Sequence, residues 1–160
     1  MNLAEFQGKL FFKENGIPIP EGYVASSIKE VKELTKKIGK PVILKSQILT
    51  GGRGKAGGII PCPYEKFGIE RYPTKVSEEA KRLFKLEIRG YPVRKILVEE
   101  LLDIVHESYL ALTYDDFHVK PLIMWSKEGG MDIEELAKHG KVQKIPVDIK
   151  NQDEAFTSGP

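Results

Sequence analysis

Between an apolar, β-branched run, Pro41–Lys45 (PVILK), and a short apolar segment near Gly58–Ile60 lies the octet Gly51–Gly58, GGRGKAGG. Five of its eight residues are glycine. So many glycines lose much backbone entropy on folding. A chain tolerates that loss where its backbone must turn sharply or approach a ligand closely. Arg53 and Lys55 place two cations inside the octet, and Lys45 places a third at the end of the preceding strand. Backbone N–H groups beside three cations suit a polyphosphate. A flexible, charged surface loop is the competing reading.

Several well-known loops do not fit. Lys55 is followed by Ala56, so no hydroxyl stands where a Walker A loop supplies one for Mg²⁺. The octet leads into a strand, so no helix N-terminus faces a phosphate, and the strand–helix setting of G-x-G-x-x-G is absent. An RGG-type RNA tail needs several repeats, and here there is one Arg-Gly.

Around this loop the chain alternates helix and strand. Residues 2–15 are predicted to form a helix, with Asn2 and Glu5 as a capping-box-like pair and Leu3, Phe6, Leu10 and Phe11 as its apolar stripe. Gly16 ends it, and a Pro-rich elbow follows. Gly22–Ala25 is a predicted strand. Ser26 or Ser27 caps a second helix with Ile28, Val31, Leu34 and Ile38 as its stripe and Gly39 at its end. Residues 61–76 mix prolines with aromatics and read as a packed loop or partner contact. A helix is predicted over 78–87, capped by Ser77, then a turn at Arg89-Gly90 and a strand at Ile96–Glu100. His106–Thr113 and Val119–Trp125 read as strands about an Asp115-Asp116 turn. Glu128-Gly129-Gly130 is a turn into a helix over Asp132–His139, and Val142–Val147 is a last strand. The polar tail 151–160 is expected to be disordered. The fold class is α/β (α+β by strict count). One subdomain covers about residues 20–100, and a second joins residues 1–19 to 104–150.

Lys+Arg total 25 and Asp+Glu 23, a net charge of +2, so no general field favours nucleic acid or an anionic membrane. One cysteine, Cys62, excludes an internal disulfide and any cysteine zinc cluster. With no signal-like N-terminus and no apolar run of spanning length, the expected location is cytosolic. His106, His118 and His139 lack metal-ligand spacing and read as surface residues. The acidic set Glu99, Glu100, Asp103 and Glu107 follows a buried strand. It reads either as a solvated edge or as the hinge of a nucleotide cleft, where carboxylates and backbone meet a base and a ribose.

Taken in order, MNLAEFQGK, GIPIPEGY, VILKSQILTGGRGKAGGI, ILVEELLDIVHESYLAL and SKEGGMDIEE resemble the N-terminal part of the succinate–CoA ligase (succinyl-CoA synthetase) β-subunit family. The likeness covers most of residues 1–150. It implies an ATP-grasp fold. It also implies a reaction in which ATP or GTP, with Mg²⁺, phosphorylates a histidine on a partner α subunit. Succinate then takes the phosphate, and coenzyme A attacks the succinyl phosphate. By the same likeness Lys45 contacts the phosphates, and Gly52, Arg53 and Gly54 form the phosphate-side loop. Glu99 and Leu102 hold the adenine edge, partly by backbone, and Glu107 meets the ribose. No catalytic or metal-binding residue is implied in this chain. The phosphorylated histidine belongs to the α subunit, and the Mg²⁺ ligands belong to the remainder of the β subunit. Alone, the 160-residue chain is therefore expected to show little ligase activity. A related ligase acting on malate, citrate or acetate, and a non-catalytic ATP-grasp binding module, are the alternatives.

Overall fold

Burial alternates along β2 (Val42–Ser46), and β6 (Ile96–Glu100) is buried through its first four residues, so the sheet they form is covered on both faces. In the computed structural model, which describes residues 3–115, 119–129 and 137–147, these two strands are central. β1 (Gly22–Ala25) pairs with β6, and β3 (Ile59–Cys62) pairs with β2, giving the antiparallel order β1-β6-β2-β3. One face carries Val42, Leu44, Ile96 and Val98, all buried, in a core shared with Val31, Ile38, Val76, Ala80 and Leu83. Those last five come from α2 (Ile28–Ile38) and α4 (Tyr72–Leu83), the amphipathic helices that cover this face. Ser27 caps α2 by accepting from Glu30 N at 3.2 Å, while the Glu30 carboxylate accepts from Ser26 N at 2.8 Å.

Register assigns the other face. Lys45 stands opposite Leu97, and Ile43 opposite Glu99. Residues directly opposite in an antiparallel pair share a face, so Lys45 and Glu99 are diagonal neighbours on one surface. That surface is met by α1 (Glu5–Glu14).

Two expectations for α1 need correction. α1 begins after Ala4, whose N–H donates to Gln7 Oε1 at 2.9 Å, so Gln7 and not Glu5 closes the box. Asn2 lies outside the described residues. The expected stripe of α1 is not core: no residue of the helix is buried, and Leu3, Leu10 and Phe11 are each more than half exposed. The helix falls within the first of two compact units, Met1–Leu102.

Segment 61–76 is more regular than expected. It completes β3, forms a one-turn helix α3 (Tyr64–Phe67) and starts α4 at Tyr72. Pro73 reads as a loop signal, yet in a first helical turn its missing N–H costs nothing. Ser77 therefore sits inside the helix, donating back to Pro73 O, and not at its cap. The Tyr72 hydroxyl accepts from Val42 N at 2.8 Å and donates to Cys62 O, closing the end of the β2–β3 pair. Tyr72→Phe orphans both buried backbone groups and is expected to cost about 1.5 kcal/mol in urea unfolding. An unchanged midpoint removes the clamp.

A small hairpin, β4 (Glu87–Ile88) and β5 (Tyr91–Pro92), turns at Arg89-Gly90, both with positive φ as a two-residue type I′ loop requires. The second unit, Asp103–Pro160, holds an antiparallel sheet of β7 (Tyr109–Asp115), β8 (Lys120–Ser126) and β9 (Gln143–Pro146). The helix expected over 132–139, the Asp116 turn position and the tail lie largely or wholly outside the described residues. Among the described residues, no helix is long and apolar enough to cross a membrane.

Candidate functional site

β2 ends by delivering Lys45 onto the α1 face, and the glycine loop then returns Arg53 to the same place. Lys45 Nζ donates to Glu99 Oε1 at 2.6 Å and to Glu5 Oε1 at 3.0 Å. Arg53 Nη1 lies 2.9 Å from Glu5 Oε2 and donates to Ser46 O at 3.0 Å. Lys9, one turn along α1 from Glu5, pairs with Glu99 Oε2. Three cations and two carboxylates thus form one partly buried cluster. Glu99 is almost sealed, at 2% exposure, which a carboxylate tolerates only when paired.

The charges shift one another. Burial pushes the Glu5 carboxyl up, but Lys45, Arg53 and Lys9 outweigh it and hold it below the ordinary range. Burial likewise pulls Lys45 down, and its bond to Glu99 with the charges of Glu5 and Glu99 raises it above its ordinary value. Both groups are therefore ionised near neutral pH.

The loop holds Arg53 by internal turns. Ala56 N donates to Gly52 O at 3.1 Å, Gly57 N to Gly54 O at 3.1 Å, and Gly58 N to Arg53 O at 2.7 Å. These inward amides are at the far end of the loop, while Gly52, Arg53 and Gly54 supply the accepting carbonyls. Gly52 has φ +81°, a left-handed conformation that favours glycine, and the Arg89 guanidinium lies beside it. Gly58 faces Ser46 and Ile88 so closely that no side chain fits.

Glu99 also lines a cavity of about 210 Å³ with Phe6, Leu10, Pro20, Tyr23 and Leu97. Its backbone lies between β1 and β2, and the next two amides are taken: Glu100 N donates to Glu21 O and Leu101 N to Pro41 O, both at 2.8 Å. Leu102 follows at the end of this edge and is half exposed. Glu107 belongs to the second unit, where it is exposed and its carbonyl accepts from Gly129 N at 2.9 Å.

The structure therefore gathers Lys45, Arg53 and Glu99, sets Gly52 and Gly54 in the loop beside them, and leaves Leu102 and Glu107 on separate segments. Sequence reasoning misses Glu5, Lys9 and Arg89. Glu5 reads there only as a capping residue, because its partner Lys45 is 40 positions away. Cys62 is fully buried, and burial pushes its thiol up to about 12, so it is inert. His106 and His139 are exposed, and His118 lies outside the described residues. Among the described residues, no group of three or more His, Cys, Asp or Glu side chains is placed to hold a metal ion.

Residues 2–158 match the family model described as an ATP-grasp domain. Over 150 residues the chain is 41% identical to the ADP-forming succinate–CoA ligase subunit β of Ignicoccus hospitalis, covering 92% of this chain and 38% of that one. It is 39% identical to the GDP-forming subunit β of Thermus thermophilus, over 86% of this chain and 34% of that one. The chain thus spans less than two fifths of the length of these curated relatives. A dinucleotide-forming acetyl-coenzyme A synthetase of Ca. Korarchaeum cryptofilum, solved with coenzyme A and Ca-AMPCP, superposes with a TM-score of 0.70. That match covers 89% of this chain and 59% of the other at 22% identity, a likeness of fold.

Proposed function

Because this chain belongs to the ATP-grasp domain family, we propose that its Lys45–Arg53 cluster holds the phosphates of ATP or GTP for an acid–CoA ligase. The acid is succinate. The relatives near 40% identity carry the succinate name, whereas the likeness to the acetate enzyme is one of fold. The overall reaction joins succinate and coenzyme A while a nucleoside triphosphate becomes the diphosphate and phosphate. The phosphoryl group passes through a histidine on an α-subunit partner.

One observation carries this reading: Lys45 and Arg53, from a strand end and a glycine loop, already converge on the two oxygens of a single carboxylate. Two cations so arranged match the oxygens of a phosphate equally well. Phosphoryl transfer is catalysed largely by positioning and charge neutralisation. Lys45 would meet the phosphates directly, held in place by Glu99. Gly52, Arg53 and Gly54 would form the wall on the phosphate side. Glu99 and Leu102 mark the strand edge assigned to the base, and Glu107 is assigned to the ribose. Mg²⁺ would neutralise phosphate charge when bound. Since the described residues gather no ligand set for it, no step through the metal is assigned to this chain.

Calorimetric titration of the purified chain with ATP, GTP and inorganic tripolyphosphate tests the reading. Both nucleotides, or one of them, should bind, and tripolyphosphate should compete. Absence of nucleotide binding, or binding that tripolyphosphate leaves untouched, overturns it.

A further inference from the structure

Helix α1 is fastened by charge. None of its residues is buried, and its ties to the sheet are Glu5 to Lys45 and Arg53, Lys9 to Glu99, and Phe6 N to Gln47 Oε1 at 3.1 Å. The contact is also imperfect. Arg53 Nη1 is close to Glu5 Oε2, but its hydrogen bond goes to Ser46 O, and Oε2 accepts no hydrogen bond although it is buried. That oxygen is compensated by the ion pair with Arg53 alone, without an aligned hydrogen bond. Glu5 thus occupies the position of an oxyanion without filling it well. Phe6 and Leu10 add apolar contact at the cavity they line with Tyr23 and Leu97, but no residue of the helix is fully buried, so the charged ties carry much of its attachment.

We propose that Glu5 is an internal stand-in for the phosphate, so that phosphate binding at Lys45 and Arg53 displaces Glu5 and loosens α1 from the sheet. This rests on the phosphate reading above. The carboxylate and the ligand compete for the same two cations, and α1 reports which of them is present. While Glu5 holds the cations, their charge is satisfied and smaller or weaker anions are refused. A polyphosphate brings more charge and more acceptor oxygens, and it wins. The apparent affinity is lower than the intrinsic one by the fraction of time the site is open.

The test uses the full 160-residue chain and tripolyphosphate at fixed ionic strength, so that screening is constant. Glu5→Gln keeps the shape and one acceptor but removes the charge. Its dissociation constant is expected to fall about threefold to tenfold, as for a site that Glu5 blocks about two-thirds to nine-tenths of the time. In the unaltered chain, saturating tripolyphosphate should speed hydrogen exchange of amides in the middle of α1. Unchanged or weaker binding by Glu5→Gln, while Lys45→Met and Arg53→Met both lose binding, overturns the stand-in and keeps the phosphate site: Glu5 then orients the cations. Slower or unchanged exchange in α1 on binding also overturns the stand-in. If Lys45→Met and Arg53→Met leave the affinity of the unaltered Glu5 chain intact, the phosphate reading itself fails.

Discussion

Lys45→Ala is expected to weaken ATP binding by about 10- to 100-fold, and Lys36→Ala by less than about twofold. The larger figure follows from one or two charge-assisted hydrogen bonds, about 1.5–3 kcal/mol in total. One consequence adds to the direct loss. Lys45 is bonded to both Glu99 and Glu5, so its removal leaves two partly or fully buried carboxylates facing an incoming phosphate. Repulsion by those carboxylates raises the penalty above that of a solvated lysine. Lys36 is a control of equal formal charge on the last turn of α2, exposed, on the helix layer that covers the opposite face of the sheet. Screening by salt leaves such a remote charge little influence. Stability should change far less than affinity, because Glu99 keeps Lys9 and Glu5 keeps Arg53 and Lys9. Equal effects of the two substitutions in the same titration would take Lys45 out of the site.

That contrast also shows which parts of the molecule sequence reasoning reaches. β2 and β6 are legible because each is a short β-branched run whose residues meet neighbours on both sides. α2 is legible because a serine cap, a periodic stripe and a terminal glycine agree at three levels. Lys45 and the loop are legible because glycine density and cations are local signals. α4 is missed at its start because Pro73 carries opposite meanings in a loop and in a first turn. The role of α1 is missed for a deeper reason. Its leucines and phenylalanines have helical spacing, which predicts a buried stripe. The contacts that hold it to the sheet are instead made by Glu5 and Lys9, with partners 40 and 90 positions away. No local pattern encodes an ion pair of that span. Arg89 escapes in the same way: it reads as a turn residue, and only the folded hairpin brings it beside Gly52.

Gly58→Ala is expected to destabilise the protein by about 3 kcal/mol, the upper part of the range for forcing extra volume into a packed site. An added Cβ would lie 2.5 Å from Ser46 Oγ, 2.7 Å from Ile88 Cδ1 and 3.0 Å from Arg53 O. The backbone conformation is not the obstacle, since Gly58 is not among the residues with positive φ. The cost is steric, and the three contacts differ in how easily they yield. Ser46 Oγ is buried and without a hydrogen-bond partner, so it can rotate without breaking a bond. Ile88 is 3% exposed and hemmed in by the core. Arg53 O cannot withdraw without losing the 2.7 Å bond it receives from Gly58 N, and that bond closes the loop. Relief must therefore come partly from moving the loop, and with it Arg53. Gly58→Ala should lower both the unfolding midpoint and the affinity for tripolyphosphate, whereas Lys45→Ala lowers mainly the affinity. Adding Ser46→Ala removes the closest of the three contacts and should recover part of the stability, but little of the binding. An unchanged midpoint for Gly58→Ala would mean that the loop has room the structure does not give it. A lowered midpoint with intact binding would mean that Arg53 holds its place without Gly58.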